Sequence, residues 1–222
     1  MLLNPIALLF TSLIVGLAVI AVLLLSQARI EGPKAGVYLW VSGDIAFGLG
    51  RLALLLQPGA VHPSGLALLT PTAAFTVNST AVVAGVVLHA LSLMRVLGRE
   101  LPGRRAVLLA VGIPLLYALG TLATDTPAGR LQLMLAVIIG AAIWTLVFAW
   151  PLRRESVGGY VIAATLLGVI GINAGTFAEL ALNAAFLAPP QPGRPDIPPL
   201  PALVVDLIVP LAITMGFVLL LQ

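Results

Sequence analysis

The sequence predicts an all-α membrane protein in which residues 1–222 form a single bundle of seven transmembrane helices. Hydrophobic residues make up 60% of the chain and charged residues only 9%. The mean hydropathy is +1.14, which lies outside the range of soluble domains. Most apolar runs are long enough to cross about 30 Å of hydrocarbon as helices. Nearly the whole chain is therefore expected to lie in the lipid bilayer.

Seven apolar runs between polar, proline-rich or glycine-rich breaks are the predicted spans. They cover residues 5–26, 37–57, 70–94, 106–123, 131–150, 159–187 and 202–222. The first run lacks the basic start of a signal peptide and is too long for its apolar region, so we interpret it as a permanent span. The loop 189–201 is too rich in proline for a helix or strand and is interpreted as a stiff connector.

Lysine and arginine are distributed unequally between the two sides of this predicted bundle. The first, third and fifth loops contain Arg29, Lys34, Arg95, Arg99, Arg104, Arg105, Arg153 and Arg154. The other loops contain only Arg130 and Arg194. Because basic loops remain in the cytoplasm, the N-terminus is predicted outside and the C-terminus in the cytoplasm. Trp40 and Trp150 would then lie near the inner interface as aromatic anchors.

Several classes of function are disfavoured by the composition. The chain has no cysteine and two histidines, so no metal site or bound cofactor is expected. A retinal protein would need a lysine inside the bundle, whereas Lys34 lies in a loop, and haem would lack a second ligand at the depth of His89. No HExxH motif, phosphate-binding loop or clustered nucleophile and base is present, so no catalytic residues are predicted. The basic residues follow the topology, which gives no reason to expect a nucleic-acid partner.

Charged side chains inside the predicted spans are the main candidates for a functional site, because each costs several kcal/mol in hydrocarbon unless it is paired or hydrated. Arg51, Glu179 and Asp206 are expected at roughly 9, 12 and 6 Å from the outer ends of their spans. At these similar depths, Arg51 is predicted to face Glu179, Asp206 or both. With Asn78 they form a predicted ligand-binding site or buried polar network, for which plain interhelical hydrogen bonding is the alternative.

Asp44 requires a different partner from Arg51. The two residues share nearly the same helix face, but they are separated by about 10 Å along the axis. His89 is expected at the depth of Asp44 on the next helix, so these two residues form a second predicted polar pair. A structural hydrogen bond and a pH sensor are the two interpretations of this pair. In the last span, Pro210 removes a backbone hydrogen bond and is a candidate hinge, with a static kink as the alternative.

Three segments of the chain resemble the N-terminal multi-helix membrane sensor regions of bacterial diguanylate cyclases. They are LWVSGDIAFGLGRLALLLQ, the end of the third span LHALSLMRVLGRE, and the terminal VPLAITMGFVLLLQ. The resemblance covers the order of the spans across most of the chain. It implies a multi-pass protein of the bacterial inner membrane whose last span leads through a helical linker to a cytoplasmic GGDEF domain. The 222 residues contain no GGDEF motif, and a sensor histidine kinase is the alternative parent.

The expected function is a membrane-embedded sensory input module without enzyme activity of its own. It would bind an unidentified small-molecule ligand or register the state of the bilayer, and pass a helix displacement to a cytoplasmic output domain or protein. By resemblance, that output is a diguanylate cyclase. A homodimer is expected from the resemblance and from small-residue helix faces such as the GxxxG pair Gly171 and Gly175. The alternative is a small proton-coupled or cation-coupled transporter or channel that uses Asp44, Glu179 and Asp206.

Overall fold

A computed structural model describes residues 5–26, 34–57, 68–99, 101–183 and 200–221, and it contains helices but no strands within these ranges. The helices are α1 (Pro5–Ser26), α2 (Lys34–Leu55), α3 (Pro71–Val96), α4 (Gly103–Ala123), α5 (Pro127–Leu152), α6 (Val157–Asn183) and α7 (Leu200–Leu220). By length and composition, α1 to α6 can each span a membrane, and Leu207–Leu220 of α7 is a shorter apolar helix. The chain is therefore an all-helical bundle of the multi-pass membrane type.

Each predicted span coincides with a helix, with differences of a few residues at the ends. Two differences concern the stretch before the last helix. The predicted span 159–187 extends beyond α6, and residues 184–187 lie outside the described residues. The predicted connector 189–201 also lies largely outside them, and α7 already begins at Leu200.

Local capping explains where several helices begin and end. Thr70 and Thr126 precede α3 and α5, and each side chain accepts a hydrogen bond from the backbone N–H three residues later. A proline occupies the first helical position after each threonine, where its missing N–H does no harm. After α3, Gly98 adopts a left-handed φ of 66°, and the N–H of Arg99 donates to Met94 O at 2.9 Å. This arrangement satisfies carbonyl groups at the helix end.

Six of the helices form a closed ring in the order α1, α2, α3, α5, α6, α7, with α7 returning to α1. The remaining helix, α4, lies outside the ring against α3 and α5. It contains a π-helical turn at Leu108–Gly112, just before Pro114, whose missing N–H cannot pair with the carbonyl one turn earlier. Large apolar side chains such as Leu116 and Leu182 are exposed on the outside. Such a surface suits contact with lipid.

α2 and α3 approach closely through small residues that recur every seven positions. The opposed residues are Gly36 with Ser92, Gly43 with Gly85, and Gly50 with Asn78. A Cβ added to Gly43 would lie only 3.0 Å from the backbone oxygen of Gly85. Seven residues correspond to about two helical turns, so all three contacts lie on one face of each helix. Residue numbers rise along α2 while the numbers of the contacting residues in α3 fall, so the two helices are antiparallel.

α6 and α7 make a similarly close contact, but through different glycines from those singled out in the sequence. A Cβ added to Gly158 would lie 2.5 Å from both Gly216 O and Leu220 N. By contrast, Gly171 and Gly175 are exposed and have no atom within 4 Å of an added Cβ. The predicted GxxxG pair therefore makes no close helix contact within the described chain.

This difference predicts opposite effects for two alanine substitutions in the same helix. Gly158→Ala should lower the free energy of unfolding by about 1–3 kcal/mol because the added methyl group meets fixed backbone atoms. Gly168→Ala is the control and should raise the free energy of unfolding slightly. An added Cβ at Gly168 meets nothing within 4 Å, and alanine stabilises a helix relative to glycine. Denaturant titration of both variants in detergent measures the difference. Equal stabilities would contradict the close contact at Gly158.

Candidate functional site

Asp44 of α2 and His89 of α3 are in contact inside the ring. Nε2 of His89 lies 3.2 Å from Oδ1 of Asp44, and the two residues are only 4% and 7% exposed, respectively. The structure thus brings the two predicted residues into contact, whereas a role of the pair as a pH sensor stays a prediction. The absence of a side chain at Gly43 allows this contact. A Cβ at Gly43 would lie 2.5 Å from Cδ2 of His89 and would displace the imidazole ring.

The contacts of His89 determine which ring nitrogen carries a hydrogen. Nε2 lies 3.2 Å from the backbone oxygen of Trp40 as well as near the Asp44 carboxyl group. A backbone oxygen is always an acceptor, so Nε2 must be the donor. Nδ1 makes no hydrogen bond within the described residues. In the neutral ring, Nδ1 therefore carries no hydrogen and is an acceptor.

Trp40 connects this pair to the last helix. Its ring is stacked between those of His89 and Phe217, with centroid distances of 4.1 and 3.9 Å and interplanar angles of 12° on both sides. The indole Nε1–H donates a hydrogen bond to Oγ1 of Thr214 at 3.0 Å. Phe217 and Thr214 belong to α7, so a change at the Asp44 and His89 pair reaches α7 through one aromatic ring.

The position of Trp40 corrects the predicted role of this residue as an interface anchor. Its side chain is 1% exposed and belongs to the core. Trp150 is partly exposed, as an anchor would be, and the guanidinium of Arg153 lies 3.6 Å from the centre of its ring. Depth alone does not separate these cases, because a tryptophan at the interface depth can face either lipid or the bundle.

A small cavity between α1, α2 and α7 has four polar side chains in an otherwise apolar wall. We call it the polar cavity; its volume is about 20 Å³, and Ser12, Asp44, Arg51 and Thr214 contribute to its wall. Arg51 is buried, and its guanidinium donates to the backbone oxygen of Ser12 at 3.4 Å. Asp44 Oδ2 and Ser12 Oγ have no hydrogen-bond partner within the described residues. The size suits one water molecule, which needs about 10–15 Å³.

A second cavity lies on the other side of Phe47 and Pro210, which line both. This apolar cavity has a volume of about 60 Å³ and lies among α2, α3, α5, α6 and α7. Its polar lining residues are His89 and Thr145, and the Thr145 hydroxyl already donates to Ala141 O at 2.8 Å. Its aliphatic lining includes Ile138, Ala142, Leu166, Val169 and Ile213.

The predicted network around Arg51 is only partly assembled by the described residues. Glu179 is exposed on α6 and makes no hydrogen bond or ion pair there. Oδ1 of Asn78 is buried and has no hydrogen-bond partner in the same set of residues. The side chain of Asp206 lies outside the described residues, but its helix brings the adjacent Leu207 to the polar cavity that Arg51 also lines. No cluster of metal-binding side chains occurs among the described residues.

Some residues of the site were not identified from the sequence. Ser12, Thr214 and Phe217 gave no signal above that of an ordinary apolar span. Trp40 did offer one, because it precedes Asp44 by four residues and so shares its helix face. Spacing along one helix can thus reveal neighbours on that helix, but not contacts between different helices.

No family model, curated protein or solved structure matches the chain. The resemblance to the sensor regions of diguanylate cyclases therefore stays a prediction.

The link from Trp40 to α7 predicts a selective effect of removing one hydroxyl group. Thr214→Val leaves the buried indole N–H without its acceptor and should lower the free energy of unfolding by about 1–3 kcal/mol. Thr145→Val is the matched control, since Thr145 is also buried but donates only within its own helix. Denaturant titration in detergent gives both values. An equal loss in the two variants would argue against a stabilising hydrogen bond between Trp40 and Thr214.

Proposed function

We propose that the chain is a sensory input module of the bacterial inner membrane whose buried Asp44 and His89 pair controls the position of α7. The observation that carries the proposal is the continuous contact from this pair through Trp40 to Phe217 and Thr214 of the last helix. A cytoplasmic output domain, by resemblance a diguanylate cyclase, would respond to the displacement. The chain itself performs no catalysis in this proposal.

The proposed topology has seven spans, an external N-terminus and a cytoplasmic C-terminus. The apolar helices α1 to α6 support six crossings, and α7, of 21 residues, is long enough for the seventh. The distribution of basic residues supports the orientation. This topology would place the end of α7 where an output domain can receive the signal. A homodimer is part of the proposal, with the exposed small residues of α6 as its contact face.

Protonation supplies a physical cause for the movement of α7. Histidine commonly changes charge between about pH 5 and 8. Asp44 is the ionisable group in contact with His89 within the described residues, and Arg51 lines the adjoining polar cavity. A positive imidazole ring would attract the Asp44 carboxylate and the face of Trp40 more strongly. Because Trp40 also contacts α7, these forces would favour one position of that helix over another.

The proposal predicts a pH-dependent distance between α2 and α7. Leu49 of α2 and Met215 of α7 are exposed, and the chain has no native cysteine, so spin labels can be attached at Cys substitutions of both. The label-to-label distance distribution in lipid should differ between pH 5 and pH 8, measured by pulsed electron paramagnetic resonance. His89→Gln should remove the difference, whereas His62→Gln, the matched control, should retain it.

Three results would count against this proposal. A distance distribution that is identical at both pH values would show that protonation does not move α7. A difference that persists in His89→Gln would assign the titration to another group. Proton uptake by proteoliposomes that is lost in Asp44→Asn, without any change in distance, would favour the transporter alternative. The observation that supports this alternative is Asp44 Oδ2, which has no hydrogen-bond partner among the described residues and belongs to a residue that lines the polar cavity.

We further propose that Asp206, rather than Glu179, is the acidic partner of Arg51. Asp206 belongs to α7, and its neighbour Leu207 and Pro210, one turn later, both line the polar cavity with Arg51. Glu179 is exposed on α6. The buried guanidinium of Arg51 needs a nearby negative charge or hydration in a membrane, and the helix register favours α7 as its source.

A double-mutant cycle can identify this pair. Arg51→Met and Asp206→Leu should each lower the free energy of unfolding by roughly 3–5 kcal/mol, because each leaves one charge uncompensated. The double variant should lose much less than the sum of the two. Glu179→Gln is the control and should change stability by no more than about 0.5 kcal/mol. Additive losses, measured by denaturant titration, would exclude coupling between Arg51 and Asp206.

A further inference from the structure

The apolar cavity has the properties of a binding site for a small neutral molecule. Its volume of about 60 Å³ is several times the 10–15 Å³ or so that one water molecule needs. Aliphatic side chains from α5, α6 and α7 form most of its wall. Apolar cavities of this kind exclude water and bind apolar atoms or molecules. The lining therefore favours a ligand that is mostly apolar.

His89 gives this cavity one specific polar group. The side chain lines the cavity and is 4% exposed, yet Nδ1 makes no hydrogen bond within the described residues. The edge formed by Cδ2 and Nε2 lies against Gly43. Nδ1 is on the opposite edge of the imidazole ring and so lies away from Gly43. In the neutral ring, Nδ1 is a hydrogen-bond acceptor.

We infer that the apolar cavity binds a small neutral molecule with a short apolar body and one hydrogen-bond donor, of the class of a short-chain alcohol, with the donor on Nδ1 of His89. Its apolar part lies against Ile138, Leu166 and Ile213. Thr145 does not offer its hydroxyl hydrogen to the ligand, because that hydrogen is already donated to Ala141 O. A charged ligand is excluded by the cost of leaving its charge among aliphatic side chains.

This inference deepens the proposed function, since Pro210 and Ile213 place α7 in the cavity wall. The role of the bound molecule as a signal rests on that proposal. Binding itself does not rest on it, because binding is detected at His89 and requires neither an output domain nor movement of α7. A failed pH response would thus leave the ligand site standing. A failed binding test would leave the pH-controlled module standing.

The experiment uses the full chain in detergent micelles with ¹⁵N-labelled histidine. There are only two histidines, and His62→Gln assigns their signals. Titration with 2-propanol at a pH where His89 is neutral should move the Nδ1 resonance of His89 upfield until it saturates, as expected for a nitrogen that accepts a hydrogen bond. Xenon, which fills space without hydrogen bonding, should bind the same cavity and compete with 2-propanol.

Cavity-filling variants supply the controls. Ala142→Leu places a larger side chain in the cavity and should abolish both the saturable shift and xenon binding. Val169→Ile adds a single methylene and should weaken both if Ala142→Leu does not fold. Ala164→Leu, at an exposed position of the same helix as Val169, should retain both. A shift that grows linearly without saturation, or xenon binding without any 2-propanol shift, would overturn the inference.

Discussion

The short distance between α2 and α3 is the constraint on which the interior of this bundle depends. A polar pair in the middle of a membrane protein is tolerated only when its members are close enough to satisfy each other. Imidazole is a short side chain, so Nε2 of His89 reaches both Asp44 Oδ1 and Trp40 O only if the two backbones lie almost in contact. Gly43 and Gly85 make that approach possible, since any side chain at Gly43 would occupy the space of the imidazole ring. The small residues that recur every seven positions are therefore a condition for the buried polar pair.

From this pair, the interaction continues to α7 through ring stacking and one hydrogen bond. Trp40 has almost no freedom to reorient on its own, because His89 covers one face, Phe217 covers the other, and Thr214 binds its Nε1–H. A change in charge at His89 alters the attraction between two stacked rings without a change in their connectivity. Such a change shifts a population only if the two positions of α7 differ in their contacts with the charged ring. The sandwich arrangement would provide that difference in the proposed module, since Phe217 belongs to α7 whereas His89 belongs to α3.

The sequence predicts the length of a helix and the depth of a residue in the bilayer better than the rotation of a helix about its own axis. The thickness of hydrocarbon fixes helix length, so the apolar runs predicted the helices well. Depth along the bundle axis follows from residue count, and it suggested the pair of Asp44 and His89, which are in contact on adjacent antiparallel helices. Rotation of a helix about its own axis does not follow from residue count, which explains why Glu179 is exposed although its expected depth matched that of Arg51. In the same way, a GxxxG pair permits a close approach but does not specify which helix will occupy it.

Two tightly packed helix pairs emerge from these contacts, and both cavities lie between them. α2 and α3 are held together by their small residues, and α6 and α7 by Gly158 against the backbone of Gly216 and Leu220. Sliding within either pair would bring backbone atoms into collision, whereas the contacts between the pairs are made by side chains such as Trp40 and Phe217 and leave two cavities. Phe47 and Pro210 line both the polar and the apolar cavity, so they form the partition between them. A molecule or side chain that fills either cavity therefore contacts the same partition.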